Sequence, residues 1–179
     1  HDRGSAEQVL AHAVASANHR VHRAATKYRA YRGMATTVVS MRFLDDRCVV
    51  AHVGDSRCYR LRDGVLTRMT EDHSLLNEYR RRGDSTLTEE TFPLRNIIMR
   101  AIGKDASVDV EVATDTHAPG DVYILCTDGL TGELNDSKIA ELATLHTGDL
   151  QEMNRALVEA ANAAGGRDNV TVVAVKIAA

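Results

Sequence analysis

Apolar positions fall at helical spacing in the first part of the chain and turn into strand-like runs after it. Val9, Leu10, Ala13, Val14, Ala17, Val21 and Ala25 share one side of a helix. Ser5-Ala6-Glu7-Gln8 reads as its capping box, so a long amphipathic helix is expected from Ser5 to about Tyr28. "ATTVVSMRF" (35–43) is β-branched and apolar and reads as a strand, and "RCVVAHV" (47–53) and "RCYRLR" (57–62) read as two more. "VLTRMT" (65–70) continues the meander, with Asp63-Gly64 as the hairpin dipeptide. "EDHSLLNEYRRRG" (71–83) reads as a helix stopped by Gly83. The polar residues 84–96 read as an inserted flap, a kind of long loop that often carries function.

The second half opens with a strand at Val108 to Ala113 and turns at Pro119-Gly120 into "DVYILC" (121–126), an apolar run of buried-strand type. Helices are expected near Asp136 to Leu145 and Leu150 to Ala164, the latter ended by Gly165-Gly166. "DNVTVVAVKI" (168–177) is the last strand. With no repeat, linker or low-complexity segment, the pattern predicts one α+β layered domain over residues 1–179.

Composition narrows the function without naming it. Of 179 residues, 44% are hydrophobic and 26% charged, an ordinary globular balance. The net charge of −3 offers no overall basic field for nucleic acid. Arg80, Arg81 and Arg82 read as a solvated helix face. Cys48, Cys58 and Cys126 form no C-x-x-C motif and leave an odd count, so reduced thiols in a cytoplasmic protein are expected. No signal peptide opens the chain, and no apolar run approaches a membrane span. His12, His19 and His22 lie on the first helix with no acidic residue arranged beside them, and read as exposed.

Three aspartates stand at strand ends. Asp128 follows "YILCT" and precedes Gly129, which lets the backbone approach a ligand closely. Asp168 lies just before the last strand, and Asp55 just after "VVAHVG". If the strands around Asp128 and Asp168 neighbour each other antiparallel, both carboxylates share one sheet edge, and Asp55 can reach it. Carboxylates brought together call for a cation, and all-oxygen ligand sets suit Mg²⁺ or Mn²⁺ rather than zinc. The same Asp-Gly and Asp-Asn dipeptides are also ordinary turn and cap chemistry.

"RGMATTVV", "VAHVGDSRCYRLRDGVLTRMTEDHSLLNEY", "RNIIMRAIG", "GDVYILCTDGL" and "GGRDNVTVVAV" occur in the order found in bacterial metal-dependent serine/threonine protein phosphatases of the 2C type, which this chain resembles over nearly its whole length. The resemblance implies a four-layer αββα sandwich, two antiparallel sheets flanked by helices, with metals at one end. It also implies hydrolysis of phosphoserine and phosphothreonine by a metal-bridged hydroxide, with Mn²⁺ or Mg²⁺ as two core ions. Phosphorylated proteins, made by or including a serine/threonine kinase, are the implied partners, with no nucleic acid and no membrane. By motif, Asp128 and Asp168 are implied as ligands of the core ions, and Asp55 as a ligand of a third, more weakly held ion. No catalytic residue beyond the metal ligands is implied. Arg57 is expected to brace its loop, and residues 83–96 match the family's flap.

Two departures from the pattern stand out. Ala35 replaces a Gly usual in the family and is expected to crowd a tight strand approach. The family's Asp-Gly-x-Gly-Gly motif, an upstream Asp, a phosphate-binding Arg and the first strands are expected before His1. That leaves a second reading open: a truncated or inactive phosphatase-like domain that acts as a regulatory or binding module, with an unpaired sheet edge that invites association.

Overall fold

Ser5 begins the first helix as its sequence requires. Its hydroxyl accepts from the Gln8 amide, and the Gln8 side chain accepts from the Ser5 amide at 2.9 Å. The computed structural model describes residues 4–83, 88, 92, 94 and 97–178. Helix α1 spans Ala6–Lys27. It is followed by β1 (Val38–Phe43), β2 (Cys48–Val53), β3 (Arg57–Arg62), β4 (Val65–Arg68) and α2 (Leu75–Arg81). The second half carries β5 (Glu111–Asp115), β6 (Val122–Cys126), α3 (Asp128–Thr131), α4 (Asp136–Leu145), α5 (Leu150–Ala164) and β7 (Val172–Lys176).

The strands form two antiparallel sheets, one ordered β1-β2-β5 and the other β4-β3-β6-β7. This corrects the expected meander, because β2 and β3 lie in different sheets. Gly54 is the reason. Its φ of 111° suits glycine, and an added Cβ would sit 2.4 Å from the Thr37 methyl, so the chain turns out of one sheet there rather than forming a hairpin. The true hairpin is at Asp63-Gly64, where φ values of 51° and 77° meet the demand of a two-residue turn with both φ positive.

The chain divides into two compact units. The first comprises His1–Phe43, Val49–Asp55 and Glu71–Thr114. Its core joins Val14 of α1 to Ala51 and Val53 of β2 and to Ile102, with Leu10 and Val21 on the same helical stripe. Buried Asn18 on that stripe accepts from the Gly103 amide at 2.7 Å and donates to the Asp105 carbonyl at 3.1 Å, which satisfies a polar loop against an apolar helix face.

The second unit comprises Leu44–Cys48, Ser56–Thr70 and Asp115–Ala179. Alternate residues Tyr59 and Leu61 of β3, and Val122, Ile124 and Cys126 of β6, present one apolar face. Ile139 and Ala143 of α4 and Met153, Leu157 and Ala161 of α5, each four residues apart, cover it. Arg57 is buried here. Its guanidinium reaches the Tyr59 hydroxyl at 3.2 Å and Asp136 at 3.7 Å, so it braces β3 to the start of α4.

Several boundaries differ from expectation. Helix α2 starts at Leu75 rather than Glu71, because Ser74 caps it and the His73 backbone is bonded elsewhere. Strand β5 begins at Glu111, three residues later than read. The short α3 had no sequence cue beyond Asp-Gly. Ala35 is exposed, and the tight approach in that stretch is at Thr37 instead. Arg80, Arg81 and Arg82 are exposed, as are His12 and His19, while His22 is half-buried with Nδ1 3.2 Å from the Gly103 carbonyl. Most of the flap assigned to residues 83–96 lies outside the described residues. All three cysteines are buried and outside any disulfide, and burial raises the Cys48 and Cys58 thiols above their usual range, which makes those two inert.

Leu157 is fully buried at the centre of the α5 seam. Leu157→Ala should lower the free energy of unfolding by about 3 kcal/mol in a urea titration, the usual cost of a cavity in a packed core.

Candidate metal centre

Strands β6 and β7 run antiparallel with Cys126 opposite Val172 and Val122 opposite Lys176. The residues that follow β6 and those that precede β7 therefore leave the sheet at the same end. Thr127 fastens them. Its amide donates to the Thr171 carbonyl at 3.1 Å, and its hydroxyl accepts from the Thr171 amide at 3.0 Å and donates to the Asn169 carbonyl at 3.2 Å. Gly129 closes the contact, since an added Cβ would sit 2.3 Å from the Asn169 carbonyl oxygen. Only glycine lets the two segments lie this close.

Asp128 is the first residue of α3, and Asp168 lies in the bend between α5 and β7, and both are exposed. The structure thus brings these two aspartates to one sheet end, as the strand order required. Asp168 Oδ1 accepts from the Asn169 amide at 2.7 Å. Arg167, its neighbour in sequence, turns instead to Glu133, with Nε 2.8 Å from Oε1. The Arg167 hydrogen bond holds the Glu133 carboxyl below its usual range and raises the guanidinium in turn. An open hollow of about 480 Å³ lies here, lined by residues that include Asn162, Gly166, Asp168 and Asn169. Asp55 ends the Val49–Asp55 segment of the first unit, half-buried in the bend that leaves β2.

A second group was not legible in the sequence. His52, His73 and Glu111, all in the first unit, offer ligand atoms within 4.8 Å of one another. The two imidazoles are buried and stacked, with centroids 4.6 Å apart. The one cue was His52 itself, the lone strongly polar residue in the fully buried run Cys48–Val53. Hydrogen-bond direction argues against a cation here. The Gly54 amide can only donate, so His73 Nδ1, 3.1 Å away, must accept. The neutral ring then carries its proton on Nε2, which donates to Glu111 Oε2 at 3.1 Å. No lone pair is left on that ring. Two cations stand close as well: Arg81 lies 3.3 Å from Glu111, and Arg100 lies 3.4 Å from His73 Nε2 and pairs with Asp109.

Burial, aided by the His52 ring and Arg100 and opposed by the Glu111 bond, holds the His73 pKa below its ordinary 6.5. Burial alone would raise Glu111, but the bonds from His73 and Arg81 with the nearby positive charge outweigh it and lower the carboxyl. The unfolded chain therefore takes up a proton near pH 6.5 that the folded His73 refuses. Its contribution to stability is complete above 6.5 and is lost as the pH falls below it. Glu111 adds a further loss as the pH falls below 4.5. Denaturant midpoints should fall between about pH 7.5 and about pH 5.5, and His73→Asn, which does not titrate, should flatten that slope.

A family model described as protein phosphatase 2C matches residues 2–168. Protein phosphatase PhpP of Streptococcus pneumoniae is 36% identical over 169 residues, covering 94% of this chain and 68% of that protein. Serine/threonine phosphatase stp of Listeria monocytogenes is 36% identical over 145 residues, covering 80% of this chain and 57% of that protein. Among solved structures, the serine/threonine phosphatase PstP/Ppp of Mycobacterium tuberculosis superposes with a TM-score of 0.90 at 32% identity, covering 99% of this chain and 75% of that one. The catalytic domain of PstP in complex with two manganese ions superposes with a TM-score of 0.87, also at 32% identity, covering 98% of this chain and 73% of that one. The chain belongs to the protein phosphatase 2C family of metal-dependent serine/threonine phosphatases.

Proposed function

We propose that this chain takes part in hydrolysis of phosphoserine and phosphothreonine in proteins through Asp128 and Asp168, which hold Mn²⁺ or Mg²⁺. The observation that carries this reading is the fastening of residues 127–129 to 169–171, which delivers two carboxylates to one sheet end. The donor chemistry fits a hard cation: the two side chains offer oxygen alone. Cys126, the nearest thiol in sequence, belongs to the buried core cluster and offers no soft ligand. Because Arg167 is engaged by Glu133, the neighbouring guanidinium is drawn off the Asp168 carboxylate.

When bound, the cations supply positive charge to the phosphate and activate a water for attack at phosphorus. The chain supplies position. Thr127 and Gly129 fix the two backbone segments, and the exposure of both aspartates leaves the site open to a phosphorylated side chain on another protein's surface. We assign Asp55 to a further cation. We also take residues 1–179 as belonging to one phosphatase domain, supported by a solved phosphatase chain that spans 99% of them. The substrates under this reading are products of a serine/threonine kinase, met in the cytoplasm, where three reduced cysteines are stable. Among the described residues no helix is long and apolar enough to cross a membrane.

Mn²⁺ affinity measured by calorimetry tests the assignment, with phosphate release from a phosphothreonine peptide followed alongside. Asp128→Asn and Asp168→Asn should each weaken Mn²⁺ binding at least about tenfold, the lower end of what even outer-shell losses cost, and any release should fall in parallel. Unchanged affinity in both folded variants would sink the proposal.

A further inference from the structure

The buried histidine group does its work on the backbone beside Asp55. Gly54 has two polar groups, and one residue satisfies both. The Gly54 amide donates to His73 Nδ1 at 3.1 Å, and the Gly54 carbonyl accepts from the His73 amide at 2.9 Å. The Thr37 side chain closes over the glycine from a third side. His73 is itself held. Its carbonyl accepts from the Met99 amide at 2.7 Å, its Nε2 donates to Glu111, and Arg81 at the end of α2 reaches both Glu111 and Glu71. His52 stacks on the ring and is fixed by its own Nε2 on the Glu71 carbonyl at 2.9 Å. All of these residues belong to the first unit.

We propose that His73, braced by Glu111, is the positioning residue of the Asp55 turn. It anchors both polar groups of Gly54 and so fixes the peptide from which the Asp55 carboxylate is offered to a cation. The proposal rests on the reading of Asp55 as a cation ligand. The chemistry explains why a histidine is used. A buried amide needs an acceptor, and a carboxylate in that role would add negative charge beside Asp55. A neutral imidazole accepts on Nδ1 and donates on Nε2 at once, so the same ring that receives the Gly54 proton is oriented by Glu111. His73 touches neither substrate nor cation in this scheme and acts through Gly54.

Two variants split the ring into its halves. In His73→Asn the side-chain oxygen takes the place of Nδ1 and keeps the acceptor. In His73→Gln the side-chain nitrogen takes the place of Nε2 and keeps the donor to Glu111. Two readouts on the whole chain decide, neither of them turnover: exchange of the Gly54 amide with solvent by NMR, and the Mn²⁺ concentration that half-broadens the Asp55 resonance. Asn should retain near wild-type values of both. Gln should speed Gly54 exchange roughly tenfold, the scale of one lost hydrogen bond, and raise the Mn²⁺ midpoint in the same direction.

Equal damage in both folded variants would overturn the proposal, since it would show that ring packing, not the acceptor, matters. Faster Gly54 exchange in Gln with an unmoved Mn²⁺ midpoint would also overturn it, because the anchor would then not serve the ligand. If wild-type Asp55 shows no Mn²⁺ broadening at all, the assignment of Asp55 to a cation fails, and the positioning role falls with it. In that case the exchange data still show whether His73 anchors the turn.

Discussion

The antiparallel register of β6 with β7 is the constraint on which the site depends. Cys126 opposite Val172 fixes where each strand leaves the sheet, and everything beyond that pair follows from backbone accounting. Thr127 uses its hydroxyl as acceptor and donor next to Asp128, so the loop ends are tied largely to each other, and the carboxylates accept one bond, at Asp168 Oδ1 from the Asn169 amide. Asp128 stays available because Thr127 takes the other backbone groups there. Glu133 does the same service on the other side by holding Arg167.

The two units solve one problem by different means. In the second, an acidic sheet end is kept in shape by a threonine and a glycine. In the first, the bend that bears Asp55 is kept in shape by a buried histidine with a carboxylate behind it. Both place the rigid element one residue away from the aspartate.

Much of this was legible in the sequence, for identifiable reasons. Capping chemistry fixed the start of α1 at Ser5, and the apolar run of 121–126 located β6. For Asp128 and Asp168 to share a sheet edge, their strands had only to be antiparallel neighbours, and they are. What the sequence hid is non-local. Nothing near Gly54 says that the chain changes sheets there, because the cause is Thr37, seventeen residues earlier. "EDHS" looks like the opening of a helix, and only the bonds from His73 to Gly54 and from Met99 show that it is a buried joint. Strand β5 was placed early because Val108 and Val110 are apolar core residues that lie outside the strand.

The order of β4-β3-β6-β7 has a consequence for how the polypeptide assembles. The β3–β4 hairpin forms from neighbours, but the strand that covers its other edge arrives only after Asp121 has been made. The helices that shield Tyr59 and Leu61 come later still. A nascent chain emerging from the ribosome must therefore carry the hairpin with one edge open while the residues between β4 and β6 are made. The charged side chains Arg60 and Arg62, which end up on Asp115 and Asp121, are of the kind that discourages an open edge from pairing with another copy.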